Sequence, residues 1–210
     1  MTLKGSGSDV TSSYITAAAA DPNGISVAAA VANNAALVIG GALATAGAVT
    51  FDSPRNITIL SAGNDSGIKF NAVGTDETGA AVSESITGAN ADTATGAQIF
   101  TTITSITAVG NPAGDVSAGS GVSCCGVISL SRCRLRGIYV VNGTGAATAP
   151  PIRFREGSIT GNIRMQFATV AGASTNSYPD VPDDGLLFTG GAFVTFTAVT
   201  DLTAMTSFFS

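Results

Sequence analysis

The chain has 210 residues, of which only 11% are charged, with a net charge of −5, no His and no Trp. Without His the commonest general base near neutral pH is missing, and Ser-His-Asp and Cys-His nucleophile systems are excluded. The acidic balance argues against general nucleic-acid binding, which needs a basic footprint, so no nucleic-acid partner is expected.

Hydrophobic residues make up 45% of the chain, but many are Ala, and there are 26 Gly. The length therefore permits one large β domain or two small ones, each with a thin core. Low charge combined with a mean hydropathy of +0.39 suits a surface that becomes covered on assembly.

The first dozen residues are rich in Gly, Ser and Thr and read as a mobile tip. MTLKGSGSDV lacks the apolar core of a secretory signal, so no disulfide framework is expected. Asp21-Pro22-Asn23-Gly24 is a turn, because Pro presets φ and Gly accepts a positive one. The Ala-rich run that follows is compatible with a helix by propensity or with an extended arm packed on a neighbour. Val27–Phe51 is apolar but interrupted by Asn33 and Asn34 and built mainly from Ala and Gly, a poor membrane span. No membrane partner is expected. Residues 1–45 are assigned as an extended, Ala-rich N-terminal arm.

From Thr45 the turn signals become regular and helical periodicity disappears. Strands are expected over 48–51, 57–61, 67–73, 80–87, 97–109 and 115–118. IKFNAVGTDETGAAVSESITG reads as a hairpin, with Ile68, Phe70 and Ala72 on one face and Thr75–Gly79 as the turn. Cys124 to Ser131 reads as a junction. Beyond it, strands are expected over 126–141, 151–156, 161–169, 185–188, 192–199 and 203–209. In the last run Phe193, Thr195 and Thr197 fall on one face and Val194, Phe196 and Ala198 on the other. Both faces are moderately apolar, so this sheet is covered on both sides or meets a partner. The fold expected is all-β: two small antiparallel β-sandwich domains, Ig-like or jelly-roll-like, at 46–122 and 123–210, preceded by the arm.

Chemistry-bearing clusters are sparse. Cys124, Cys125 and Cys133 have no His and no fourth ligand for zinc, and read as buried thiols. Glu77, Glu84 and Glu156 are the only glutamates, and no aromatic platform accompanies them, so no glycosidase pair is expected. Asp76 with Glu77, or Asp180 with Asp183 and Asp184, could ligate calcium, but neither matches an EF-hand spacing, and Asp is frequent in turns for backbone reasons. Neither an enzyme nor a cofactor is expected.

The sharpest local feature is an alternation of arginines. In SRCRLRGIYV, Arg132, Arg134 and Arg136 share a strand face while Cys133, Leu135 and Ile138 face the core, and in IRFRE, Arg153 and Arg155 flank Phe154. Such a row is a solvated face paired to Glu156, a docking face for an acidic protein, since the guanidinium fork grips carboxylates bidentately, or, as a third reading, a contact with nucleic acid or glycan. Tyr14, Tyr139 and Tyr178 lie far apart in sequence and give little support to a carbohydrate-binding module.

Two segments carry a resemblance. SPRNITILSAGNDSGIKFNAVGTDETGAAVSESITGANADTATGAQIFTTITSITAVG (Ser53–Gly110) has a strand after Pro-Arg, then SAGNDSG, then GTD-x-x-G before V-x-E-x-ITGANA, and a closing F-x-T-I-TSIT strand. DGLLFTGGAFVTFTAVTDLTAMTSFF supplies a GLLF strand leading into a final hairpin. Together, at about 40% of the chain, they resemble structural proteins of tailed-bacteriophage virions. The resemblance implies many identical copies on a symmetric particle, either as a capsid decoration (cement) protein or as a tail adaptor, tube or fibre-attachment component. It implies the major capsid protein or other virion proteins as partners, homo-oligomerisation, and a place on the virion surface. It carries no catalytic residues.

Overall fold

The computed structural model describes residues 10–143, 152–169, 176–197 and 202–210. The expected mobile tip up to residue 9, Pro151 and Ala198 lie outside them. The protein is all-β. Among the described residues sixteen strands form antiparallel sheets of sandwich-like architecture and no helix is present. The chain divides into two compact units, Ala17–Cys125 and Met1–Thr16 with Gly126–Ser210. We call them the middle unit and the terminal unit.

The first strand, β1 (Thr11–Thr16), belongs to the terminal unit. The middle unit then runs through β2 (Ser26–Ala30), β3 (Ala44–Thr45), β4 (Ala48–Ser61), β5 (Lys69–Thr75), β6 (Ala81–Thr87), β7 (Thr93–Thr95), β8 (Phe100–Val109) and the first part of β9 (Asp115–Ser129). Its sheet has the order β9-β4-β8-β5-β6, with β2 beside β9, and β3 and β7 beside β4. The inward positions of these strands supply the core, including Phe51, Ile57, Phe70, Phe100, Ile103 and Ile106. Each fully buried side chain of this size contributes about 1.5–3 kcal/mol of hydrophobic free energy.

The hairpin forms where its pattern places it, with Lys69 opposite Thr87 and Thr75 opposite Ala81. Phe70 and Ala72 are fully buried, as alternation requires. Asp76 organises the turn: its Oδ1 accepts the N–H groups of Thr78 (2.8 Å) and Ala80 (3.0 Å) and the Thr78 hydroxyl (2.7 Å). Gly79 takes φ +85°, which an L side chain resists. A Cβ at Gly74 would collide with the Thr102 carbonyl oxygen, at the register shift where β5 passes β8. That shift explains why Ile103 and Ile106, three apart, both point inward.

Several elements differ from the sequence expectation. The expected strands 48–51 and 57–61 are one strand, β4, which runs through Pro54. Pairing with β8 shifts between Thr50 and Arg55, so the proline sits in an irregular stretch where its missing N–H is tolerated. The expected 97–109 strand begins only at Phe100, because the Glu84 carboxylate captures the N–H groups of Ala97 (2.6 Å) and Gln98 (3.3 Å). The Ala-rich run is extended, not helical: β2 pairs with β9, and Leu37 donates its N–H to the Ile106 carbonyl (2.8 Å). The segment 1–45, expected as an arm, is in its described part built into the chain's own sheets. The junction expected at Cys124–Ser131 contains the boundary between the two units, after Cys125, but β9 runs on across it to Ser129, so the expected strand 126–141 is split by a turn before β10. Its small residues from Val116 to Gly121 are all buried, so neighbours on both faces hold the chain extended.

The terminal unit continues with β10 (Cys133–Asn142), β11 (Ile152–Glu156), β12 (Ile163–Phe167), β13 (Asn176–Ser177), β14 (Leu186–Phe188), β15 (Ala192–Thr197) and β16 (Leu202–Phe209). One sheet has the order β1-β16-β10-β13, with β14 also on β10, and the other set runs β12-β11-β15-β9. Cys133, Leu135 and Ile138 are buried as expected, together with Phe154, Phe188 and Met205. Phe193 and Val194 are both buried although they point to opposite faces, so β15 is covered on both sides. No helix among the described residues is long and apolar enough to cross a membrane.

Candidate interaction surfaces

The five arginines singled out by sequence fall into three places. Arg132 is exposed and precedes β10, outside any strand. Arg134 and Arg136 lie on β10 and hold the acidic return that follows Pro179. Arg134 Nη1 donates to the carbonyls of Asp184 (3.0 Å) and Gly185 (3.4 Å), while Arg136 donates through Nη1 to Asp183 O (3.4 Å) and through Nε to Ser210 Oγ (3.1 Å). A pattern that reads as an outward docking row is, on this strand, largely a clamp on the chain's own loop. The same guanidinium groups oppose a calcium ion at Asp183 and Asp184.

Arg153 and Arg155 lie on β11, in the other strand set. Arg155 donates Nη1 to Gly161 O (2.9 Å) and Nε to Thr195 Oγ1 (3.3 Å). Burial, and then the neighbouring charge of Arg153, lower its pKa from the usual guanidinium value. Arg153 is opposite Gln166 on β12 and Thr195 on β15, and its buried Nε has no hydrogen-bond partner. Glu156, expected as a cross-strand partner of these arginines, instead pairs with Arg164 (3.4 Å), where a register shift in β12 brings that residue alongside. Glu156 also accepts the Thr189 hydroxyl and the Thr189 N–H (2.7 Å). The hydroxyl bond, then the N–H bond and the Arg164 charge, lower its pKa below the ordinary carboxylate value against a small desolvation cost. Among the described residues Arg164–Glu156 is the one ion pair, and no carboxylate reaches Arg153 or Arg155.

Burial and local hydrogen bonds account for the other shifted groups. Burial acts to raise the Asp76 pKa, but its hydrogen bonds from Thr78, Ala80 and Gly79 outweigh it and lower the value. Glu77 is raised, by burial first and by the Asp76 charge second. Burial pushes the Cys125 thiol far up, helped by the charge of Glu77, and also raises Cys133, which favours the protonated thiol at both. No group of three or more Cys, Asp or Glu among the described residues could hold a metal ion. A shallow groove of about 220 Å³ in the middle unit is lined by uncharged residues including Pro22, Asn56, Thr58, Thr95 and Val122.

One feature was invisible to sequence spacing. In the five-stranded sheet Tyr14 on β1 is opposite Thr206 on β16, and Thr206 is opposite Tyr139 on β10. Ser177 on β13 is opposite Val140, which places Tyr178 next to Tyr139, and the two rings meet at 5.1 Å between centroids, tilted by 51°. All three tyrosines of the chain thus occupy one cross-strand row on one face. Tyr14 is 68% exposed and Tyr178 72%. Phe208, two residues along β16 from Thr206 and 40% exposed, projects from the same face. Only the pairing of β1 with β16, nearly the whole chain apart, brings Tyr14 to this row.

Compared with known proteins, the chain matches no protein-family model, no curated protein and no solved structure.

Proposed function

We propose that this protein is a non-catalytic structural component of a larger particle, a decoration (cement) protein of the tailed-phage kind that bridges neighbouring capsid subunits. The observation that carries this reading is the pair Arg153 and Arg155. They stand two residues apart on one face of β11, both half-buried and without a carboxylate partner among the described residues, and Arg153 has a buried Nε left unbonded. Two neighbouring guanidinium groups without a carboxylate between them gain when an acidic surface meets the part of each that stays exposed. The other polar chemistry supports the same reading, because Glu84, Glu156 and the β10 arginines hold turns and loops and are not gathered at a cleft. The acidic partner is then a capsid protein, and the copies act together through many weak contacts.

The test is occupancy on purified particles. Arg153→Glu with Arg155→Glu, with the fold checked by circular dichroism, should reduce bound copies about tenfold or more, the effect of losing a pair of charged contacts. Unchanged occupancy would reject the docking role. A wild-type protein present in only a few copies per particle would replace decoration by the tail-component reading.

A further inference from the structure

We propose that the tyrosine row of the five-stranded sheet is a binding platform for an uncharged glycan chain. Three consecutive cross-strand rows form the face: Ser12 with Phe208 and Gly137, Tyr14 with Thr206 and Tyr139, and Thr16 with Ala204 and Val141. None of these positions is charged. Tyr178 extends the central row at its far end.

Two properties select the ligand. Tyr14 and Tyr139 are two strands apart, so their rings are roughly 10 Å from each other by strand spacing, about the length of a disaccharide. A pyranose presents an apolar face of C–H groups that lies on an aromatic ring, and its rim of hydroxyls needs donors and acceptors alongside. Here Thr206 stands between the two rings, Ser12 and Thr16 flank Tyr14, and each tyrosine carries its own hydroxyl. A nucleic-acid strand would also stack on these rings, but it requires cations along its backbone, and the rows carry none. A protein partner would also use such rings, since interface cores are rich in Tyr and Phe, but the hydroxyls set between and beside these rings match the hydroxyl rim of a sugar. Rings held on paired strands are already ordered, so little conformational entropy is lost on binding.

Because the chain has no Trp and all three Tyr lie here, intrinsic tyrosine emission reports this face alone. The experiment titrates the purified protein with linear hexasaccharides of glucose (α-1,4 and β-1,4 linked) and of N-acetylglucosamine. It follows tyrosine emission and, independently, mobility in gels containing the matching polysaccharides. At least one series should shift the emission and retard the protein. Tyr14→Ala and Tyr178→Ala should each weaken binding about tenfold, with unchanged circular dichroism and melting, and Tyr14→Phe should retain most of it. The Arg153→Glu, Arg155→Glu variant should bind glycan normally, which separates this result from the docking reading. The proposal is overturned if no series shifts the wild-type emission, or if binding survives the combined Tyr14→Ala, Tyr178→Ala variant. It is equally overturned if the tyrosine variants dissociate a wild-type oligomer without affecting any saccharide, since the face would then be a contact between copies.

Discussion

Between Ala17 and Cys125 the chain has eight acidic residues and two basic ones, whereas the terminal unit has six and seven. The contrast extends to how the cations are used. In the middle unit Arg55 is turned inward and only 3% exposed. It donates to the carbonyls of Ser53 (3.3 Å), Ala18 (3.1 Å) and Ala19 (3.4 Å), and its guanidinium stands 5.7 Å from the Phe51 ring centroid. The terminal unit instead keeps its arginines near the surface and displays its tyrosines outward. The middle unit fixes its own chain with a buried cation, whereas the terminal unit does so with arginines nearer its surface, Arg134, Arg136 and Arg155, and leaves the rings of Tyr14 and Tyr178 exposed. The difference teaches where substitution should cost most: the exposed rings of the terminal unit form no part of its core, whereas Arg55 fills a buried site with three carbonyl acceptors.

Three measurements sharpen or break that contrast. The largest effect belongs to core truncation. Phe100→Ala should destabilise the middle unit and Phe154→Ala the terminal unit, each by about 3–5 kcal/mol. Hydrogen exchange of strand amides should show each loss confined to its own unit. If either variant loosens both units equally, the division has no energetic meaning. Next comes Arg55→Met, which leaves three carbonyls without their donor and should lower middle-unit stability by about 2–3 kcal/mol in urea unfolding. A loss below half of that would show that water replaces the guanidinium and that the inward cation is dispensable.

The smallest effect is expected at the hairpin turn. Asp76→Ala should cost about 1 kcal/mol at neutral pH, the worth of the side-chain bonds it removes. Since folding lowers the Asp76 pKa from its ordinary 3.8, the ionised carboxylate stabilises the fold above that value. Its contribution should disappear as pH falls through the lowered folded value. The gap between wild type and variant, followed by denaturant unfolding at stepped pH, should therefore stay constant down to about pH 4 and close below it. A gap that persists in strong acid would mean that the turn does not depend on the carboxylate charge.

Much of the fold was legible because its signals are local. The alternation in IKFNAV and the Asp-x-Thr-Gly turn fix the β5–β6 hairpin, and Cys133 and Leu135 announce their buried face by alternation, whereas Ile138 joins it through the register shift between Leu135 and Gly137. The continuity of β4 through Pro54 was not legible, since it depends on neighbours that accept a register shift there. The strand state of Ser26–Ala30 was hidden for a similar reason: Ala has little β preference, and pairing with β9 decides it. At the candidate sites, the Arg153–Phe154–Arg155 alternation was readable, but the capture of Arg134 and Arg136 by the 183–185 carbonyls was not. The tyrosine row was beyond reach, because cross-strand neighbours are set by register between segments that share no local signal.

The pairing of Thr11–Thr16 with Leu202–Phe209 also sets an order of events in time. A ribosome makes β1 first and must then produce the whole middle unit before the partner strand exists. The middle unit holds its strands within one continuous stretch, so it can collapse while synthesis proceeds. Until β16 emerges, β1 is an unpaired strand edge tethered to a folded body. Closing that loop is slow, because it spans most of the chain. The step most exposed to exchange between neighbouring chains is therefore this last pairing, in which the β1 of one copy can reach the β16 of another.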